Sequence, residues 1–381
     1  MQDNAIAVVG GGIGGLVAGI ALTQAGQRVR VYEQAPQFAR VGADINLTPN
    51  AVRAVDGLGA GLGEALRRSA ARPTFRISRT WDSGAETSRL AMGNVAEERY
   101  GSPQLTLHRA DLLTALESAF PAESLSLGAR LSDLVEDDDG VTLRLADGRE
   151  ERASVVIGAD GIHSAVRRAT FGQEHPEFTG VVAFRAVVPI ARLTGLPNLD
   201  AFTKWWGPNP ETQIVTFPLN CGEDIFIFAT APQDSWTEES WTTPGDADEL
   251  RAMYADFHPE ARGLLDAVDD VLKSALYVRD PLPTWSTRRV TLLGDACHPM
   301  MPFMAQGAGQ AIEDAVVLAR ALTELDGPVA GRLAAYQAAR LERTSRIQIG
   351  SRGNEWLKEA GSGDWVYGYD AWGTPLGQSA A

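Results

Sequence analysis

Apolar positions fall in short runs along this chain, and their spacing changes from segment to segment. Ala5 to Val9 is uncharged and apolar throughout, the pattern of a strand buried on both faces. Gly14 to Gln24 follows, with Leu16, Val17, Ile20 and Ala21 spaced for one face of a helix that Gly26 ends. Arg28 to Tyr32 predicts a second strand, closing at Glu33. Arg109 to Ala119 carries Leu112, Leu113 and Leu116 at helical spacing. Alternation takes over from 125 to 158, through Leu131, Leu134, Val141, Leu143 and Leu145, and predicts a meander ending in the buried run Val155 to Ile157. Val181 to Pro189, Gln213 to Pro218 and Ile225 to Ala229 predict more strands; Leu250 to Ala267 predicts a helix. Val290 to Leu293 is again a strand, followed by helices over Gly309 to Leu325 and Arg332 to Gly350.

The opening strand, helix and strand form a βαβ unit, so the expected fold class is α/β with a Rossmann-like nucleotide domain. The late strand at Val290 feeds a second glycine-rich stretch, which predicts that this domain is discontinuous. Its expected segments are 1–73, 103–178 and 285–350. A β-rich substrate domain is expected from 74–102 and 179–284, and a helical, aromatic-rich tail over 351–381. That tail, with Trp356, Trp365, Tyr367, Tyr369 and Trp372, is expected to pack on the body.

Composition narrows the function. The net charge of −15 disfavours nucleic acid and anionic membrane surfaces as partners. The two cysteines, Cys221 and Cys297, exclude a disulfide scaffold and fit a reducing compartment. No apolar run approaches the roughly 20 residues of a membrane span, and the first strand leaves no room for a leader, so a cytoplasmic protein is expected. The acidic run Glu136 to Asp139 before Gly140 predicts a solvated hairpin turn, with no metal site.

The chemistry lies in the glycines. Gly10, Gly12 and Gly15 fit G-x-G-x-x-G between strand and helix, where a tight turn, a close approach to pyrophosphate and helix packing each require a missing side chain. The helix start favours phosphate. Glu33 stands where a ribose hydroxyl is accepted and would repel a 2′-phosphate, leaving FAD or NAD. Far along the chain, Gly294-Asp295 is followed by Pro302 and Gln306-Gly307-Ala308-Gly309, a second site able to reach the other half of a dinucleotide.

Three stretches in order carry a resemblance: Gly10 to Gly15, the "DG" string Gly158-Ala159-Asp160-Gly161, and the "GD" string at Gly294-Asp295. The chain resembles the single-component, GR2-type flavoprotein aromatic hydroxylases typified by para-hydroxybenzoate and salicylate hydroxylases. Lys204-Trp205-Trp206, Arg279 to Ser286, Gly294 to Met300 and Trp365 to Asp370 resemble the 6-hydroxynicotinate 3-monooxygenase subgroup. The resemblance implies tightly bound, non-covalent FAD, transient NADH or NADPH, and dioxygen. It implies hydroxylation of a small electron-rich aromatic or N-heteroaromatic ring through a flavin C4a-hydroperoxide, with decarboxylation where the ring carbon bears a carboxylate. The competing readings are an epoxidase or hydroxylase of a bulkier natural product, or an NAD-dependent dehydrogenase.

By the same resemblance Arg109, Asp160, Gly294, Asp295, Gly307 and Ala308 join Gly10, Gly12, Gly15 and Glu33 around FAD. Pro302 lies over the flavin, and Met300, Met301, Phe303 and Met304 keep water out. In the loop Gly42 to Asn46, Asp44 replaces a family glycine and Asn46 a family histidine; Thr216 stands near an expected tyrosine. Asp44, Asn46, Thr216 and Pro302 are the catalytic candidates, and Asn46, Trp206, Thr216, Met301 and Phe303 the pocket candidates. Asp44 is expected to face solvent; if it faces the pocket, it disfavours a carboxylated substrate. Arg185 is either structural or a contact for the nicotinamide cofactor, and Trp205 and Trp206 either line the pocket or anchor a sheet. His163 and His298 are expected to be structural and His108 packed, none of the five histidines is expected to act as a base, and the protein is expected to be a monomer or homodimer.

Overall fold

The computed structural model describes residues 5–38, 44–59, 61–172, 175–237, 243–353 and 363–376. The uncharged strand Ile6–Val9 is the centre of a five-stranded parallel sheet in the order Val290–Leu292, Val155–Gly158, Ile6–Val9, Val29–Tyr32, Leu125–Ser126. Its strands are short and almost wholly apolar because helices cover it. Ile13–Gln24 and Gly307–Glu324 pack against one another beside it, so the two ends of the chain meet here. The meander is a small antiparallel sheet of Leu131–Glu136, Val141–Leu145 and Glu150–Ala153, and the acidic run is its turn.

The second layer is a seven-stranded sheet in the order Leu272–Val278, Glu177–Pro189, Asp224–Pro232, Gln213–Leu219, Phe202–Trp206, Phe75–Thr80, Glu86–Ala91. Period-two alternation sorts its faces. Phe184, Trp205, Ile214 and Ile227 turn outward to a core shared with Leu250, Tyr254, Leu264 and Leu265. Ala183, Phe202, Val215, Phe217 and Phe228 turn inward, against Met301 and Phe303 from the loop after the second glycine motif. A two-stranded ribbon, Ile45–Leu47 with Leu105–Leu107, bridges the layers: Ile45 and Leu47 enter the main core, while Thr106 Oγ1 donates to Pro218 O at 2.7 Å.

Several expected elements are corrected. Leu250 to Ala267 is not one helix but two, Ala247–Met253 and Pro259–Asp266. Pro259 has no N–H to continue a helix but fits the first turn of a new one, which His258 caps from Nδ1. The helix expected from Gly309 begins at Gly307. Within 363–376 the tail is mostly turn, with one helix at Asp364–Tyr367; Trp356 lies outside the described residues. The tail packs on the body as expected: Trp372 Nε1 donates to Ala54 O at 2.9 Å and the Tyr100 hydroxyl to Asp364 at 2.6 Å. No helix among the described residues is long and apolar enough to cross a membrane.

Candidate active site

The first glycine motif is shaped by close approach. Gly10 takes φ +106°, and a side chain there would meet Ala159 O at 2.4 Å; one on Gly15 would meet Gly10 O at 1.9 Å. The turn is therefore pressed against the DG stretch on one side and its own helix on the other. Around Gly12 the space is open, and the helix start behind it has no side-chain cap. Glu33 stands at this opening: its oxygens accept N–H of Gly11 at 2.7 Å and of Ala35 at 2.8 Å. Carboxylate lone pairs remain for a diol. These features fit the adenosine diphosphate half of FAD.

Asp160 serves the same opening indirectly. Its carboxylate accepts from Ser164 Oγ and from the Ala165 and Val166 N–H groups, which fixes the loop whose Ala159 backs Gly10.

The second motif rests on a buried polar network that the sequence did not announce. The Gly294 N–H donates to Asp314, which also pairs with His298 Nε2. Arg340, fully buried, donates to Asp314, Glu313 and Gln310, each at 2.7 Å. Asn50 Nδ2 reaches Glu313 at 2.6 Å and Gln306 at 3.1 Å, and Gln306 Nε2 reaches Thr48 Oγ1 at 2.8 Å. Burial opposes the charge on His298, but Cys297 and Asp314 outweigh it and hold the ring well above its usual pKa. Burial also opposes charge on Asp314, yet His298 and Arg340 bring that carboxyl down to about 2. Cys297, His298 and Asp314 approach closely enough to suggest a metal site, but both Asp314 oxygens already accept protein donors. The network holds Gln306, the residue before the helix Gly307–Glu324, whose start has no side-chain cap and leaves the Gly307 and Ala308 amides for an anion. Gly14 would strike Leu293 and Ala311 with a side chain, so the two helix starts lie side by side. This fits a flavin ring beyond the diphosphate.

Separated segments come within electrostatic reach of one another. Asp44 lies within electrostatic reach of Arg185 and Arg109, and Asp295 within reach of Arg109 and His298. Asp44 is half-buried and Asp295 exposed, and desolvation is the largest influence on the ionisation of both. Burial lifts Asp44 from 3.8 to about 6, with Arg185 and Arg109 pulling the other way. Burial lowers Arg185 to about 10 against the pull of Asp44. Arg185 and Arg109 offset the charge of Asp44, which weakens the objection to a carboxylated substrate. Gly42 and Ala43 lie outside the described residues.

Thr216 is also corrected. It shares the outward face with Ile214 and lines a small cleft with Arg79, Trp205, Glu260 and Leu264, away from Met301. Its neighbours Val215 and Phe217 hold the inward positions. Alternation also separates the tryptophans: Trp205 is buried outward beneath Arg79 and against His258, while Trp206 shares the inward parity of Phe202 and carries Lys204 Nζ 3.6 Å from its ring centroid. The methionine-rich loop divides. Met301 and Phe303 meet the large sheet; Met300 and Met304 pack with Ile347, Val366 and Tyr367. Pro302 lies exposed between them.

Two amide groups missed in the sequence stand out. Gln213 is 1% exposed, inward-facing, and neither end of its amide has a hydrogen-bond partner. Gln104 Nε2 donates to Asn46 Oδ1 at 2.8 Å, leaving Asn46 Nδ2 and Gln104 Oε1 unpartnered and buried. Glutamine has no motif, so only the fold reveals these positions.

Comparison with known proteins follows the geometry. The family model described as FAD binding domain matches residues 3–349. The chain is 42% identical over 374 residues to 6-hydroxynicotinate 3-monooxygenase of Bordetella bronchiseptica, covering 97% of this chain and 96% of the relative. It is 38% identical over 378 residues to the enzyme of the same name from Pseudomonas fluorescens, covering 98% and 97%. Among solved structures, a salicylate hydroxylase substrate complex superposes with a TM-score of 0.83 at 28% identity, covering 97% of this chain and 96% of that one. Klebsiella pneumoniae HpxO complexed with FAD and uric acid gives a TM-score of 0.81 at 27% identity, covering 95% and 92%.

Proposed function

This chain belongs to the FAD-binding-domain family of aromatic monooxygenases, and from that premise we propose that it acts on a hydroxylated, carboxylated aromatic or N-heteroaromatic ring held between the large sheet and Met301–Phe303. It is an FAD-dependent, single-component enzyme that uses NAD(P)H and dioxygen to hydroxylate an aromatic ring. The family match sets aside the dehydrogenase reading.

One observation carries the substrate class: the inward face of the sheet bears the cations Arg76, Arg185 and Lys204 among aromatic and aliphatic side chains. Arg76 lies over Phe202 at 4.5 Å and Arg185 over Phe228 at 5.4 Å. A flat apolar ring with an anionic substituent complements such a surface.

When bound, FAD supplies hydride acceptance from NAD(P)H and activation of dioxygen for transfer of one oxygen atom to the ring. The protein's part is position and charge. Gly10, Gly12, Gly15 and Glu33 hold the adenosine end, and Arg109, Gly294 and Asp295 the middle. The Gly307 and Ala308 amides stabilise negative charge at the ring end. Met301 and Phe303 exclude water beside Pro302, with Trp206 on the opposite wall. Asp44, whose carboxyl titrates near 6, is the proton acceptor above that pH, with the Asn46 amide beside it. The division into a nucleotide domain and an inserted substrate domain is supported by the two large sheets, and two free cysteines suit cytoplasmic work.

The test is NADH consumption screened against hydroxypyridinecarboxylates and hydroxybenzoates, with product mass measured. Substrate-stimulated oxidation with a gain of one oxygen atom is expected, with an acidic limb near pH 6 that disappears in Asp44→Asn. Stimulation confined to uncharged rings would overturn the substrate class, and an unchanged limb would remove Asp44 as the base.

A further inference from the structure

A buried amide with no partner costs roughly 1–3 kcal/mol for each unmade bond, so such groups need a reason. Gln213 pairs across the sheet with Trp206 and Thr230, on the face that turns to Met301 and Phe303, and both its carbonyl and its amino end lack partners. Exchanging the carbonyl and amino positions changes nothing, because both are unpartnered. Gln213 therefore presents one donor and one acceptor side by side. The Asn46–Gln104 pair on the bridging ribbon does the same, with Asn46 Nδ2 and Gln104 Oε1 left over, and exchanging both amides again leaves one donor and one acceptor. Asn46 lies opposite Thr106, whose hydroxyl reaches Pro218 O, so this pair is held at the other end of the same strand.

The chemistry of the partner follows. A carboxylate only accepts, which would satisfy the amino end of Gln213 and leave its carbonyl facing negative charge. A phenol offers its donor and acceptor on one oxygen. A cyclic lactam, the N–H/C=O tautomer of a 2-hydroxypyridine, displays both on adjacent atoms in the cis arrangement and closes two hydrogen bonds with a primary amide at once. We propose that Gln213 is a specificity-determining residue whose amide reads the lactam edge of an N-heteroaromatic substrate, distinguishing it from the carbocyclic isostere. The inference rests on the ring-hydroxylase reading above and narrows it.

The test uses the FAD-loaded enzyme and a matched pair, 6-hydroxynicotinate and 4-hydroxybenzoate, which share the para hydroxyl and carboxylate and differ at the ring nitrogen. Binding is followed by perturbation of flavin absorbance, and FAD content reports folding. The native enzyme binds the nicotinate roughly tenfold or more tightly. Gln213→Met, close in volume, brings the two dissociation constants together while still binding 4-hydroxybenzoate, and Gln213→Asn, which keeps the amide on a shorter arm, restores part of the preference. Equal binding by the native enzyme, no binding of the nicotinate, or a preference that survives Gln213→Met overturns the proposal. The ring-hydroxylase reading has a separate readout: it stands if any hydroxylated ring stimulates NADH oxidation and falls if none does.

Discussion

Arg340 shows what a single side chain holds here. It lies with Glu313 and Asp314, all three without solvent contact, and its guanidinium is shared among Asp314, Glu313 and Gln310. Arg340→Met removes one of two cations from each buried carboxylate, leaving Glu313 to Arg343 and Asp314 to His298, so a loss at the low end of about 3–5 kcal/mol is expected in denaturant unfolding, with reduced FAD retention. Arg340→Lys cannot restore the fork of donors and is expected to rescue little. Asp44 gives the opposite case, a carboxyl whose folded pKa of about 6 stands above its ordinary 3.8. A raised pKa means stability that is full below the unfolded value and lost as pH rises through the folded one. The native enzyme is therefore expected to lose stability between about pH 4 and 6 relative to Asp44→Asn, by at most about 3 kcal/mol, measured as the difference in unfolding free energy across that window. At this scale the sequence was legible where chemistry is local. Gly10 and Gly15 meet within one turn of the chain, and Glu33 reaches Gly11 within a single strand–helix–strand unit. It was illegible where partners are remote, as with Asn50 and Glu313, separated by 263 residues.

At the scale of elements, the strand–helix–strand opening was plain because its apolar runs are continuous and its glycines local. Gly15→Ala places a methyl group 1.9 Å from Gly10 O, and neither backbone can yield without moving the helix Ile13–Gln24 off its strand. The purified variant is expected to carry little or no flavin; full yellow colour at native yield would contradict the close-approach reading. The strand Gln213–Leu219 shows where pattern reading slips. Every one of its residues is buried, so alternation of polarity does not mark the inward face, and a shift of one residue placed Thr216 in the pocket instead of Val215 or Phe217. The helix over Leu250 to Ala267 failed for a different reason. Its apolar spacing continues across Pro259, but the backbone does not.

Across the whole molecule, the parallel sheet supplies two uncapped helix starts and the large sheet supplies a cationic, apolar wall, with the ribbon carrying Asn46 fixed between them. The meeting of early and late segments was readable because the glycine motif at each end follows a short apolar strand, and both strands lie in one sheet. The contents of the pocket were not, since they come from the inward faces of strands whose register only the assembled sheet reveals. The central claim is that this site directs one atom of dioxygen onto an aromatic ring. It is tested most directly by running the NADH-driven reaction with a stimulating hydroxylated ring under 18O2 and weighing the product. One 18O atom per product molecule is expected, at close to one NADH consumed. Product lacking the label, or NADH spent entirely on hydrogen peroxide with every stimulating ring, would contradict the account.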